Sequence, residues 1–235
     1  MRTATAVLTL ALAQALLSPA VSQNNGGVFG PNVEPGHRSW DLRFAVTEAA
    51  AVQRTHVQWA FSDHLMGRVV LQARDAGPGS GPTPDFARAD LFWDLGLVTT
   101  RWRTGLRFDA MVRNGAGPEQ INLNWTNEVA LPSRMTARFV LRSSHQFGGR
   151  GIDSPAIQTR AMIRRRLSNG ASVGVEIYNP WGTVGEFGPF EGGRHQAGPF
   201  TTMRAGQIVL FAGLLGGLTD EAADLTARFR IVREF

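Results

Sequence analysis

The sequence predicts an all-β chain closed into an antiparallel, up-and-down transmembrane barrel of about twelve strands. Three observations carry this. Apolar and polar residues alternate with period two over nearly all of the chain after residue 37. The alternating runs are roughly nine to twelve residues long, the length a tilted strand needs to cross a bilayer; strands of soluble sheets usually hold five or six. The connections alternate between short turns and longer Gly/Pro-rich loops. A soluble sandwich would share the alternation, so the lengths and the connections separate the two.

The elements follow in order. Trp40, Leu42, Phe44 and Val46 share one face, with Asp41 and Arg43 on the other. Val57, Trp59 and Phe61 oppose His56, Gln58 and Ala60; Leu65, Val69 and Leu71 continue the pattern. Leu91, Trp93, Leu95 and Leu97 oppose Asp90, Phe92 and Asp94. Leu106, Phe108, Ala110 and Val112 oppose Arg103, Arg107, Asp109 and Arg113. Ile121, Leu123 and Trp125 oppose Asn122, Asn124 and Thr126. Ala137, Phe139 and Leu141 oppose Arg138 and Arg142, and Ile157, Ala161 and Ile163 oppose Gln158, Arg160 and Arg164. Val173, Val175 and Ile177 oppose Glu176 and Tyr178. Segments 194–203 and 207–215 are less regular, and the last run sets Leu225, Ala227, Phe229 and Ile231 against Arg228 and Arg230.

Counting from Trp40, the even-to-odd connections near 62–64, 99–101, 131–134, 168–171 and 203–206 are short. The odd-to-even ones, such as 75–86 and 179–193, are longer and rich in Gly and Pro. Barrels of the outer membrane have short periplasmic turns, longer external loops and an even strand number. Both chain ends then lie on the periplasmic side. Strand ends read from a pattern carry an error of two to four residues, so ten or fourteen strands stay open.

The N-terminus reads as a targeting segment. Arg2 precedes an apolar run from Ala4 to Leu17, and Ala20 and Ser22 supply the small residues of a cleavage site before Gln23. Residues 1–22 are expected to be a signal peptide, residues 23–36 a flexible periplasmic lead-in and residues 37–235 the barrel.

Composition removes other classes. With no cysteine, disulfide scaffolds, thiol catalysis and cysteine-based metal sites are excluded. A hydrophobic content of 43%, with 14 Phe and 6 Trp, argues against disorder. All of the 24 basic residues are arginine, and the net charge is +5. On the inward parity the arginines are Arg43, Arg68, Arg103, Arg107, Arg113, Arg138, Arg142, Arg160, Arg164, Arg228 and Arg230, facing Asp41, Asp90, Asp94, Asp109, Glu128 and Glu176. Guanidinium forks pair bidentately with carboxylates and never lose their charge, which suits a crowded polar interior. The lumen is expected either to be filled by a salt-bridge network or to form a narrow positive pore for small anions.

The chain ends in Phe235, with Ile231 and Phe229 on the same parity and Arg233 interrupting the series. Here it resembles outer-membrane β-barrel proteins of Gram-negative bacteria. Their last strand closes on an aromatic residue that the barrel-assembly machinery reads. His195 to Pro199 and Gly217 to Asp220 are similar to segments of small uncharacterised barrel families of this class. The resemblance implies an outer-membrane location, contact with outer-membrane lipid and Phe235, Ile231 and Phe229 as the assembly signal. It implies no activity.

The expected function is a passive pore or a structural barrel, without a cofactor, a metal or a nucleic-acid partner. Two other readings stand beside it. One is a lipid-modifying hydrolase at the outer leaflet, built on Ser144 or Ser143 with His145 and oriented by Asp153 or Glu186. The other is a soluble periplasmic sandwich or lipocalin-like carrier.

Overall fold

The structure, a computed structural model, describes residues 26–75, 77, 81–148 and 154–235. The expected signal peptide at residues 1–22 and the start of the lead-in lie outside the described residues.

The strands are β1 (Arg38–Val46), β2 (Ala51–Ala60), β3 (Leu65–Asp75), β4 (Thr83–Leu97), β5 (Trp102–Arg113), β6 (Glu119–Leu131), β7 (Met135–Phe147), β8 (Ala156–Arg166), β9 (Ser172–Thr183), β10 (Glu186–Phe187), β11 (Gln196–Ala205), β12 (Ile208–Gly217) and β13 (Leu225–Glu234). Twelve of them pair antiparallel in sequence order around a closed ring. The ring shuts where β1 meets β13, from Ser39 opposite Glu234 to Val46 opposite Ala227. β10 is a two-residue strand folded back on β9 outside the ring. Closure leaves no barrel edge, so every strand of the wall has a backbone partner on both sides, as lipid requires.

The parity read from the sequence holds along the wall. Leu91, Trp93, Phe108, Leu123, Trp125, Val175 and Phe229 are exposed on the outside. Asp90, Asp109, Asn124, Glu176 and Arg228 are buried inside. The apolar face of the strands is therefore an outer surface. Tryptophans on that surface tie their indole N–H groups to neighbouring strands: Trp125 donates to Thr104 Oγ1 at 2.9 Å and Trp181 to Thr159 Oγ1 at 2.8 Å.

The connections also follow the alternation. Residues 206–207 join β11 to β12, with Gly206 at a φ of 59°. Left-handed backbone at the first of two central residues suits a primed hairpin turn. The turn after β6 needs the same backbone but has no glycine: Ser133 and Arg134 both sit at φ 59°, and Met135 N–H donates to Pro132 O at 3.2 Å. Both termini of the barrel lie at this short-turn end; Phe235 N–H donates to Arg38 O at 3.0 Å. Arg233, which interrupts the closing apolar series, places its guanidinium 5.2 Å from the centre of the Phe235 ring.

The chain ahead of β1 enters the ring. Val28 is buried in a cluster with Val140, Met162, Tyr178, Phe200 and Leu215, and Val33 in one with Met66 and Phe92. Phe29 packs against both clusters. The described part of the segment expected to be a periplasmic lead-in thus lies in the lumen. Its glycines allow close approach. A Cβ on Gly30 would stand 2.8 Å from Arg138 Nε and 3.0 Å from Glu128 Oε2.

Candidate functional site

The lumen is the candidate site, and its lining comes from one face of every wall strand. Carboxylates and guanidiniums are matched across and along the strands. Arg68 and Arg88 both donate to Asp90, at 2.5 and 2.7 Å. Arg107 donates to Asp109 at 2.8 Å, and Arg103 to Asp94 at 3.0 Å. Arg43 donates to Asp41 at 2.8 Å, and Arg230 lies 3.2 Å from the same carboxylate. Arg138 donates to Glu128 at 2.6 Å, and Arg113 to Asp85 at 3.1 Å. Arg228 pairs with Glu176, and Tyr178 donates its hydroxyl to Glu176 at 2.7 Å.

Asp41 and Asp90 each serve two arginines, so the guanidiniums outnumber the carboxylates at the wall. Two arginines are held by neutral acceptors instead. Arg142 donates to Asn122 Oδ1 at 2.8 and 3.2 Å. Arg160 donates to Gln158 Oε1 at 2.7 and 3.0 Å and to Gly27 O at 3.3 Å. Amide oxygens fix the orientation of the fork without cancelling its charge. Arg164, the remaining predicted lining residue, borders a cavity of about 420 Å³ that opens toward the short-turn end. Glu34, His37, Arg204 and Glu234 line its mouth side, and Arg43, Arg68 and Glu176 its inner part.

Two buried lumen arginines were missed by the pattern. Arg54 donates to Gln72, and Arg88 holds Asp90. Arg54 is the fourth residue of β2 and Arg88 the sixth of β4. Beside Arg54 the outward Gln53 and Thr55 are polar and the inward Val52 is apolar; beside Arg88 the inward Phe86 is apolar and the outward neighbours are only Ala87 and Ala89, so the local alternation is weak. Extending the parity backward from Val57 and Leu91 places both arginines inside.

The N-terminal segment adds its own contacts. The Phe29 ring lies under the Arg107 guanidinium, 3.9 Å from centroid to carbon, and meets Phe92 edge-on. Val33 N–H donates to Asp94 Oδ2 at 3.2 Å. Asp94 stands at a register shift in β4, where Gly96 at φ 90° donates its N–H to Asp94 Oδ1. A bulge with a left-handed glycine re-aims the neighbouring side chain.

Of the residues of the hydrolase reading, Ser144 and His145 do not meet. On β7, Ser144 is buried toward the lumen, while His145 shares the outer face with Ser143. Adjacent residues of a strand point to opposite faces, so Ser144 and His145 cannot hydrogen-bond as nucleophile and base. Asp153 lies outside the described residues, and Glu186 is exposed on β10. His195 serves the loops: its ring stacks on Phe190 at 4.0 Å, and its Nδ1 is 3.0 Å from Asn179 Oδ1. Among the described residues no three of His, Asp and Glu group as a metal would need.

No protein-family model and no curated protein matches the sequence. Solved structures do match in shape. An outer-membrane channel from Pseudomonas putida F1 superposes with a TM-score of 0.64 at 14% identity, over 86% of this chain and 97% of that one. The KdgM porin gives 0.62 at 8% identity, over 84% and 99%, and the NanC porin 0.58 at 6%, over 84% and 98%. The chain has the fold of a small outer-membrane porin. At identities this low the likeness is one of fold.

Proposed function

We propose that the protein is a narrow passive pore of the Gram-negative outer membrane whose lumen favours small anions. One observation carries the reading: buried arginines outnumber the carboxylates that face them, with Asp41 and Asp90 shared and Arg142 and Arg160 held by neutral oxygens. A lining with fixed, unneutralised guanidiniums lowers the barrier for anions and raises it for cations. The porin-like fold and the apolar outer belt support residence in a bilayer. The KdgM porin, of similar fold, is known in complex with disordered oligogalacturonate.

In this reading residues 1–22 direct export. Phe235, Ile231 and Phe229 present the closing strand to the barrel-assembly machinery, and outer-membrane lipid surrounds the belt. The reading is tested by solute entry into proteoliposomes. Glucuronate should enter faster than glucose, which has nearly the same size. Equal rates, or faster glucose entry, would overturn it.

A further inference from the structure

Arg54 and Arg160 stand on β2 and β8, six strands apart in either direction around the ring. Their side chains nevertheless reach the same point. A Cβ placed on Gly26 would be 2.9 Å from Arg160 Nη1 and 3.6 Å from Arg54 Nη1. Arg43, on β1, donates Nη1 to Gly26 O at 2.8 Å, and Arg160 donates to Gly27 O at 3.3 Å. Three guanidiniums from opposite walls therefore converge on one short stretch of backbone near the barrel axis. The two carbonyl oxygens that accept from Arg43 and Arg160 are neutral.

We infer that Arg43, Arg54 and Arg160 form a carboxylate-binding cradle in which the Gly26 and Gly27 carbonyls act as a built-in stand-in ligand, displaced when a carboxylated solute enters. The inference rests on the pore reading only in placing the cradle on the solute path.

The chemistry favours exchange. A guanidinium bond to a carboxylate is roughly twice as strong as one to a neutral acceptor, and a carboxylate offers two oxygens to a fork. The lack of side chains at Gly26 and Gly27 is what lets backbone oxygens come so close to the arginines. Working against the solute is the tether. A short covalent link presents the segment at an effective concentration on the order of millimolar, and the buried Val28, Phe29 and Val33 hold it further. Displacement should therefore need roughly millimolar solute and should not occur with a neutral sugar.

The chain contains no cysteine, so Val28→Cys in the full-length barrel supplies a single thiol on the segment. Its reaction with a maleimide is followed in proteoliposomes with glucuronate or with glucose. Glucuronate at about ten millimolar should speed labelling at least five-fold while glucose leaves it unchanged. In the Arg160→Gln background the basal rate should rise and the glucuronate effect shrink. Labelling indifferent to glucuronate would overturn the inference.

Conductance of a chain lacking residues 26–33 separates this from the pore reading. Should that chain conduct anions while labelling ignores glucuronate, the pore stands and the stand-in ligand falls. Should glucuronate speed labelling while the shortened chain stays silent, the cradle stands and the pore falls.

Discussion

Arg107 and Phe29 form the tightest cation–aromatic contact of the lumen among the described residues, with the guanidinium carbon 3.9 Å from the ring centroid. Arg107 is fixed by Asp109 on its own strand, so the wall supplies a rigid cation and the N-terminal segment supplies the ring. The contact explains how a stretch without regular structure is anchored. Phe29→Ala removes it together with the packing on Phe92. A desolvated cation–π contact contributes about 2 kcal/mol, and about 1.4 kcal/mol is tenfold in an opening equilibrium. Hydrogen exchange at the Val33 amide, which is bonded to Asp94, should therefore accelerate by at least roughly tenfold. An unchanged rate would mean that the segment is held elsewhere.

Asp90 holds two guanidiniums at once. Asp90→Asn leaves Arg68 and Arg88 buried around a neutral amide, with Asp109, 3.8 Å from Arg88, as the remaining carboxylate beside them. Removing one partner of a buried ion pair costs about 3–5 kcal/mol, most of it from the stranded charge. The midpoint of urea unfolding in lipid vesicles should fall. If the variant still folds, its anion preference should rise, because a lumen carboxylate has gone. A rise in cation permeability would contradict the charge argument.

Ser133 and Arg134 hold left-handed backbone that side chains disfavour, at a cost of roughly 1–2 kcal/mol per residue. Arg134→Gly relieves one of them without touching the lumen. The unfolding midpoint should rise by an amount equivalent to about 1 kcal/mol. A lower midpoint would show that Arg134 contributes more through its side chain than its backbone costs.

Leu123 and Asn124 are neighbours on β6 that face lipid and lumen. An arginine on the lipid face near mid-bilayer costs about 2–4 kcal/mol. Leu123→Arg should reduce the heat-modifiable folded band on gels, whereas Leu123→Ile should not. Equal folding of the two would argue against lipid contact at this face.

The wall was legible because it repeats. Leu91 beside Asp90 and Leu123 beside Asn122 state which face meets lipid, and no distant contact is needed to read them. Arg54 and Arg88 were not legible from local alternation: Val52 and Phe86 face inward beside them, and their outward neighbours are Gln53 and Thr55 or only the alanines Ala87 and Ala89. The segment from Gly26 to Glu34 was less legible still. Its Gly, Pro and Asn residues read as a flexible periplasmic lead-in. Only the closed ring brings Arg43, Arg107 and Arg160 together around it. Cross-lumen convergence of this kind is set by barrel closure, and sequence spacing carries no trace of it.

The central claim is a pore with an anion-favouring lumen. The zero-current potential across a planar bilayer holding the purified barrel, under a tenfold gradient of potassium chloride, tests it most directly. The account predicts a sign set by chloride. A potential set by potassium, or the absence of channels even after removal of residues 26–33, would contradict it.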